Sequence, residues 1–334
     1  MNDNMSNDFN KSKDHQRGFT LLELMISLAV GLVIFAGVLS VFVGMQSTVK
    51  ETSSYGELQE NARFALSVLT DDLLQQNFWG DYTGSLNFDS LDAVPAPVGV
   101  ECSVVGTNNG TYPTGVGHFR TLWGETSSPT GATTMTCIDD AAPDSDIIQL
   151  KRVISFPIVG APANNFSYFV GNSDNGAIYK RPLIAPAVVP VINNSREWQY
   201  QHHIYYVREG IPVLMKWRLT NQMINEPMVD GIERIYFMYG VSTVIDPTLP
   251  GFGVINAYVS AASMTTALWD NANSRILAVK VYVLARSILP DSKYDNENTY
   301  VLGDQAPYIP ADNFRRLLLS TTITLYNSET DSWQ

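Results

Sequence analysis

The chain has few of the side chains that usually carry chemistry. Its 334 residues include two cysteines and four histidines. Beyond residue 18 the histidines are His118, His202 and His203. The last two are adjacent, so on a strand they point to opposite faces and do not grip one metal ion together. There is no C-x-x-C pair, which removes the commonest zinc and redox patterns. There is also no G-x-S-x-G elbow, G-x-G-x-x-G turn or P-loop. Basic residues are scarce, 21 Lys and Arg against 33 Asp and Glu, for a net charge of −12. An acidic surface repels phosphates, so direct nucleic-acid binding is not expected.

Charge is missing altogether from Leu24 to Met45, and proline is missing from 19 to 76. Those twenty-two uncharged residues make a helix of about 33 Å, enough to cross a hydrocarbon core of ~30 Å. One carboxylate, Glu23, stands at the mouth of the run. An acid at membrane depth costs roughly 2.5–3.5 kcal/mol, less near the interface, so Glu23 needs a partner or a task. A cleaved secretory signal fits poorly, because the apolar run is too long and no clean A-x-A site follows. A plain single-span anchor remains open but gives Glu23 no role. Lys11, Lys13 and Arg17 precede the run, which places residues 1–18 on the cytoplasmic side and the rest outside.

The stretch Gly18-Phe19-Thr20-Leu21-Leu22-Glu23 directly follows Arg17. It resembles the class III signal of type IV prepilins and type II secretion pseudopilins. The resemblance implies cleavage after Gly18 by a prepilin peptidase, N-methylation of Phe19, and pairing of Glu23 with the N-terminal amine of a neighbouring subunit during assembly. A buried carboxylate and a buried ammonium are each costly alone and tolerable together. Many pilins carry a kinking proline where this chain has Ser40, so bending is left to Gly31, Gly37 or Gly44.

Residues 19–76 are expected to form one helix. Past Lys50 it turns amphipathic, with Leu58, Ala62, Ala65, Leu66, Leu69 and Leu73 on one face and Glu57, Glu60, Arg63, Asp71 and Gln75 largely off it. Ser53-Ser54-Tyr55-Gly56 is its weak point. Leu58–Leu66 resembles PilW-type minor pilins, as do Asp230–Gly240, Val279–Arg286 and Phe314–Asn327. The end of the helix departs from that pattern, with Asn77-Phe78-Trp79-Gly80 in place of the usual turn.

Residues 80–145 read as ordered loops with a short strand around Val98–Val105. Cys102 and Cys137 lie there. In an exported domain the default is a disulfide, closing about 36 residues and contributing roughly 3.8 kcal/mol at most; two free thiols are the alternative. Strands are expected at Asp146–Ile154, in a hairpin over His203–Arg218 turning near Glu209-Gly210, at Val229–Val241, at Arg275–Ser287 and at Asn313–Tyr326. In the fourth, Leu277, Val279, Val281, Val283 and Ala285 share a face. A short helix is expected within 259–270. Two acidic loops invite Ca²⁺, one with Asp139, Asp140, Asp144 and Asp146, the other with Asp291, Asp295 and Glu297; neither has EF-hand spacing, and a solvated loop is the other reading of both.

The expected fold is α+β and pilin-like: a leader (1–18), a transmembrane helix (19–45), its amphipathic continuation (46–76), and a β-rich periplasmic or extracellular domain (77–334) with a mainly antiparallel sheet. The resemblance implies a non-enzymatic minor pilin without a cofactor that primes type IV pilus assembly and sits in the tip complex. Implied partners are other minor pilins, the major pilin, a PilY-type tip adhesin, the prepilin peptidase and the inner-membrane assembly platform. A J-type minor pseudopilin of type II secretion shares this plan, and a single-span periplasmic enzyme is the third reading.

Overall fold

A computed structural model describes residues 18–183, 189–271 and 274–328, with the side chains of Ser47, Thr48 and Lys50 left aside. The leader up to Arg17 lies outside the described residues. The chain divides into two units, 1–54 and 55–334.

In the first unit the helix α1 begins; its bounds are Leu21–Leu74. Its described side chains up to Met45, Leu24, Phe35 and Phe42 among them, are exposed. The mean hydropathy of its apolar window reaches 2.7, which suits a lipid environment better than water. The helix continues through Ser53–Gly56, because glycine and serine lower helix stability without breaking the hydrogen-bond ladder.

In the second unit, residues 55–74 of α1 pack by the expected stripe. Leu58, Ala62, Ala65, Leu69 and Leu73 are buried and Leu66 is partly so, while Glu57, Glu60, Arg63 and Asp71 are exposed. Three- and four-residue spacing puts these apolar side chains on one side of the helix. Asn77 ends the helical run in the left-handed region, φ 58°, a conformation asparagine tolerates.

Two antiparallel sheets follow instead of one. The first holds seven strands: β1 (Leu122–Thr126), β2 (Asp146–Val153), β3 (Ser167–Gly171), β4 (Gly176–Lys180), β5 (Arg196–Val207), β6 (Val213–Leu219) and β7 (Met223–Asp230). Their order is β1-β2-β5-β3-β4, with β6 also beside β5 and β7 beside β6. The second holds β8 (Ile232–Ser242), β9 (Ala257–Ser260), β10 (Arg275–Arg286) and β11 (Arg316–Thr324), in the order β11-β10-β8-β9. A short helix, α2 (Thr266–Trp269), precedes β10.

The sheets are stitched where β2 begins. Ser145 Oγ accepts from Ile235 N–H at 3.1 Å, and Asp146 Oδ2 accepts from Phe237 N–H at 2.7 Å. One core cluster fills the space around the packed helix, with Leu69, Trp198, Tyr205, Phe237 and Val281 among its most buried members.

Several expectations are corrected here. No strand forms at Val98–Val105; an isolated bridge joins Val104 to Met135. The run Val229–Val241 is two strands. Gly231, at φ 75°, separates β7 from β8, donating to Pro212 O at 2.7 Å and accepting from Arg286 N–H at 2.7 Å. In β10 a bulge between Ile276 and Ala278 shifts the alternation, so Ile276 and not Leu277 joins Val279, Val281, Val283 and Ala285 in the core cluster. The strand expected at Asn313–Tyr326 is shorter at both ends.

Candidate assembly site

At the N-terminal end, Thr20 caps α1. Its Oγ1 accepts from Glu23 N–H at 3.2 Å, and its carbonyl accepts from Leu24 N–H at 3.2 Å. Glu23 sits in the first turn, where the helix dipole favours a negative charge. Gly18 and Phe19 precede the helix and are exposed, and so is Glu23. The carboxylate is thus held at the start of the apolar run with its side chain open to a partner.

The other end of the helix is anchored by a group the sequence did not single out. Asp72 lies in the last turn, where the dipole disfavours an acid, and it is buried. Arg152 Nε on β2 donates to its Oδ1 at 2.6 Å. On β5, His203 Nδ1 lies 2.5 Å from Oδ2, and Tyr205 donates its hydroxyl to the same oxygen at 2.8 Å. Burial opposes ionisation, but His203 and Arg152 outweigh it and hold the Asp72 carboxyl well below the usual carboxylate range. Burial pushes the His203 imidazole below its ordinary range against the pull of Asp72. The Nδ1 side of the ring faces the carboxylate, and Nε2 lies 3.0 Å from Gln201 Oε1.

Just beyond the helix, a reciprocal clasp ties residues 76–77 to the turn that follows the last strand. Asn77 Nδ2 donates to Asn327 O at 3.0 Å, and Asn327 Nδ2 donates to Gln76 O at 3.1 Å. Gln76 Nε2 adds a bond to Thr121 Oγ1 at 3.1 Å.

The structure scatters the other singled-out residues. Cys102 and Cys137 form a disulfide across a separation of 35 residues. Glu101 organises the loop beside it: its Oε1 accepts from Thr111 N–H at 2.8 Å and from the Thr111 hydroxyl at 2.7 Å. His202 and His203 do face opposite ways, and both are buried; His202 Nε2 lies 2.7 Å from Gln149 Nε2. His118 lines a small cavity with Gln76, Thr121 and Trp269. Asp291 accepts from Arg315 at 3.0 Å, Asp295 accepts from Asn313 at 3.0 Å, and Glu297 is exposed. Of the first acidic loop, Asp139 is exposed, Asp140 accepts from Tyr206 Oη at 2.8 Å and Asp144 lies 4.0 Å from Arg234. Among the described residues no group of three or more His, Cys, Asp or Glu side chains converges as a metal site.

Two further charged groups are buried. Lys151 donates to Arg120 O at 2.6 Å and lies 4.9 Å from the Phe119 ring centre; burial pushes its ammonium well below the usual lysine range. Arg316 is clamped between Glu233 and Asp312, donating to Glu233 Oε1 at 2.8 Å and Asp312 Oδ2 at 2.7 Å. Nothing in the sequence marked either group as buried.

Asp146 gives a test by pH. Burial raises its carboxyl to about 8, opposed by bonds from Thr126 and Phe237 and assisted by the nearby charge of Asp304. A raised folded-state value stabilises the domain fully below the unfolded value, near 4, and this contribution is lost as pH rises through about 8. Asp146→Asn keeps an acceptor for Phe237, turns the bond to the Thr126 hydroxyl round so that the amide donates to it, and has no charge to bury. The variant is expected to be more stable than the parent at pH 8 by about 2–5 kcal/mol, and equal to it near pH 4, in thermal melts across that range.

Comparison with known families bears on the remaining readings. The model described as Type IV Pilus-assembly protein W matches residues 204–327, from β5 through β11 to the clasp residue Asn327. The model described as the prokaryotic N-terminal methylation motif matches residues 13–39, which include Gly18, Phe19 and Glu23. Both matches support a PilW-type minor pilin with a class III signal. No curated protein and no solved structure matches it. The PilW match covers the second sheet and, from the first, the end of β5 with β6 and β7; the disulfide loop and the β1–β4 strands lie outside it. A transmembrane helix and a disulfide-bonded, β-rich domain complete this PilW-type chain, and the pilin family is one of structural proteins.

Proposed function

We propose that this PilW-type chain is a structural subunit that primes type IV pilus assembly and ends at the filament tip, where it supports a PilY-type adhesin. The observation that carries the reading is the methylation motif on the apolar helix, joined in one chain to the PilW-matching domain. It is made as a prepilin in the inner membrane with its N-terminus cytoplasmic and its C-terminal domain periplasmic. The peptidase cuts after Gly18, and Phe19 becomes the methylated N-terminus. Glu23 then pairs with the amine of a neighbouring subunit, which relieves the cost of each charge in the membrane. Other minor pilins, the major pilin and the inner-membrane platform are its partners, and no catalysis is involved.

Mass spectrometry of the N-terminus in sheared filaments tests this. The expected peptide begins at methylated Phe19. Processed chain confined to the membrane would shift the assignment to secretion, and an intact Met1 with active peptidase present would overturn it. The chain is further proposed to work without a cofactor. Its melting temperature is expected to stay unchanged at millimolar Ca²⁺, and a saturable rise would return Asp291, Asp295 and Glu297 to consideration as ligands.

A further inference from the structure

A free strand edge is an open row of donors and acceptors, and natural sheets blunt it with short strands, charge, proline, bulges or a cover. The domain does so at four of its five edge strands. β1 has five residues and carries Glu125. β4 is covered by the segment around Ala93: Ile178 N–H donates to Ala93 O at 2.9 Å, and Asp92 N–H donates to Gly176 O at 2.9 Å. β7 contains Glu226 and Pro227 and has a register shift against β6. β9 has four residues.

β11 has none of these devices. It has nine residues, and Leu317–Thr324 contains no charge, proline or glycine. Among the described residues it pairs with β10 alone. Ser287 N–H donates to Arg315 O and Leu325 N–H donates to Leu277 O, so odd-numbered residues face β10. Backbone groups alternate sides along a strand. Those of Leu318, Ser320, Thr322 and Thr324 therefore face outward, and among the described residues nothing pairs with them. On one face Ser320, Thr322 and Thr324 are exposed; on the other Leu317, Leu319 and Thr321 are only half covered.

We propose that the β11 edge receives an extended strand from a different polypeptide, whatever place the chain takes in the filament. The incoming segment is uncharged and proline-free over about five residues, with apolar side chains alternating with small polar ones, so that each sheet face continues across the junction. A second copy of this chain does not fit. Antiparallel self-pairing needs a two-fold axis normal to the sheet. That axis reverses the packed segment Tyr55–Leu74, whereas chains entering from one membrane keep it co-directional. Parallel self-pairing keeps the direction but turns the sheet over, setting Leu317 and Leu319 against the Ser and Thr face.

The test places a photo-crosslinking amino acid at Ser320, Thr322 or Thr324 of the full chain in the producing cells and maps the linked residues by mass spectrometry. Capture of a protein does not decide; the register does. The expected result is that all three positions link to one segment of one other protein, with the linked residue moving along it stepwise. No links, links scattered over unrelated segments, or a ladder between two copies of this chain would overturn the proposal. A second variant guards against misfolding. Thr322→Pro removes an outward N–H and no bond to β10, so the melting temperature in detergent is expected to stay close to the parent's while linking from Ser320 falls by roughly tenfold or more. Thr321→Pro removes a ladder bond and is expected to lower the melting temperature. Undiminished linking in Thr322→Pro would also overturn the proposal.

Discussion

Asp72→Ala is expected to destabilise the domain by about 3–5 kcal/mol, the range found when one partner of a buried ion pair is removed. The change leaves Arg152 and Tyr205 without their shared acceptor and strips the last turn of α1 of its tie to β2 and β5. Net stabilities are only ~5–15 kcal/mol, so a large part of the total is at stake. Thermal melts of the full chain in detergent measure it, and a loss under about 1 kcal/mol would contradict the anchoring role. Adding Arg152→Met to Asp72→Ala is expected to restore part of the loss, because the stranded guanidinium accounts for much of it. The carboxyl is held low, so its contribution is present above the unfolded value of 3.8 and is lost as pH falls below it. The variant is expected to lose less stability on acidification than the parent.

Gly80→Ala is expected to cost about 2–5 kcal/mol through two separable effects. Gly80 has φ +66°, and a left-handed backbone costs a side-chain-bearing residue ~1–2 kcal/mol. A Cβ there would also lie 2.5 Å from the Trp198 indole, which is itself buried; overpacking of that kind costs about 1–3 kcal/mol. Gly106→Ala separates the two, since Gly106 has φ +79° with open space around its Cβ. Its expected loss is the backbone part alone. Equal losses at the two positions, measured by thermal melts, would show that Trp198 yields.

The glycine also shows what the sequence could reveal. Phe78-Trp79-Gly80 read as a departure from the usual helix end, and its reason lies in Trp198, 118 positions away, which no local pattern encodes. Elements with strong periodicity were legible. The stripe from Leu58 to Leu73, the β5–β6 hairpin at Glu209-Gly210 and the alternation of β11 all follow from local spacing. β3 and β4 were hidden because each is five residues long and buried along almost its whole length, which removes alternation. β7 was hidden by Glu226 and Pro227, which suit an edge but not a central strand. The single left-handed Gly231 was enough to merge two strands in the reading. At the candidate site, Glu23 stood out because an acid beside an uncharged run is conspicuous. Asp72 did not, because an amphipathic helix carries many acids and only the partner on β2 tells which one turns inward. Asp146 read as part of an acidic loop, yet it bonds to β8 across the sheet junction.

The disulfide has a consequence for length under load. A domain that opens under tension lengthens by its unfolded contour. The Cys102–Cys137 bond short-circuits 35 residues of separation. At about 3.5 Å per residue, roughly 120 Å of chain stays out of the stretched path. A single molecule pulled from its ends should extend by that much less than its residue count allows, and should recover the difference in a separate step when reductant is added. The bond therefore limits how far the two ends of the domain can separate under load, independently of how much it adds to folding stability.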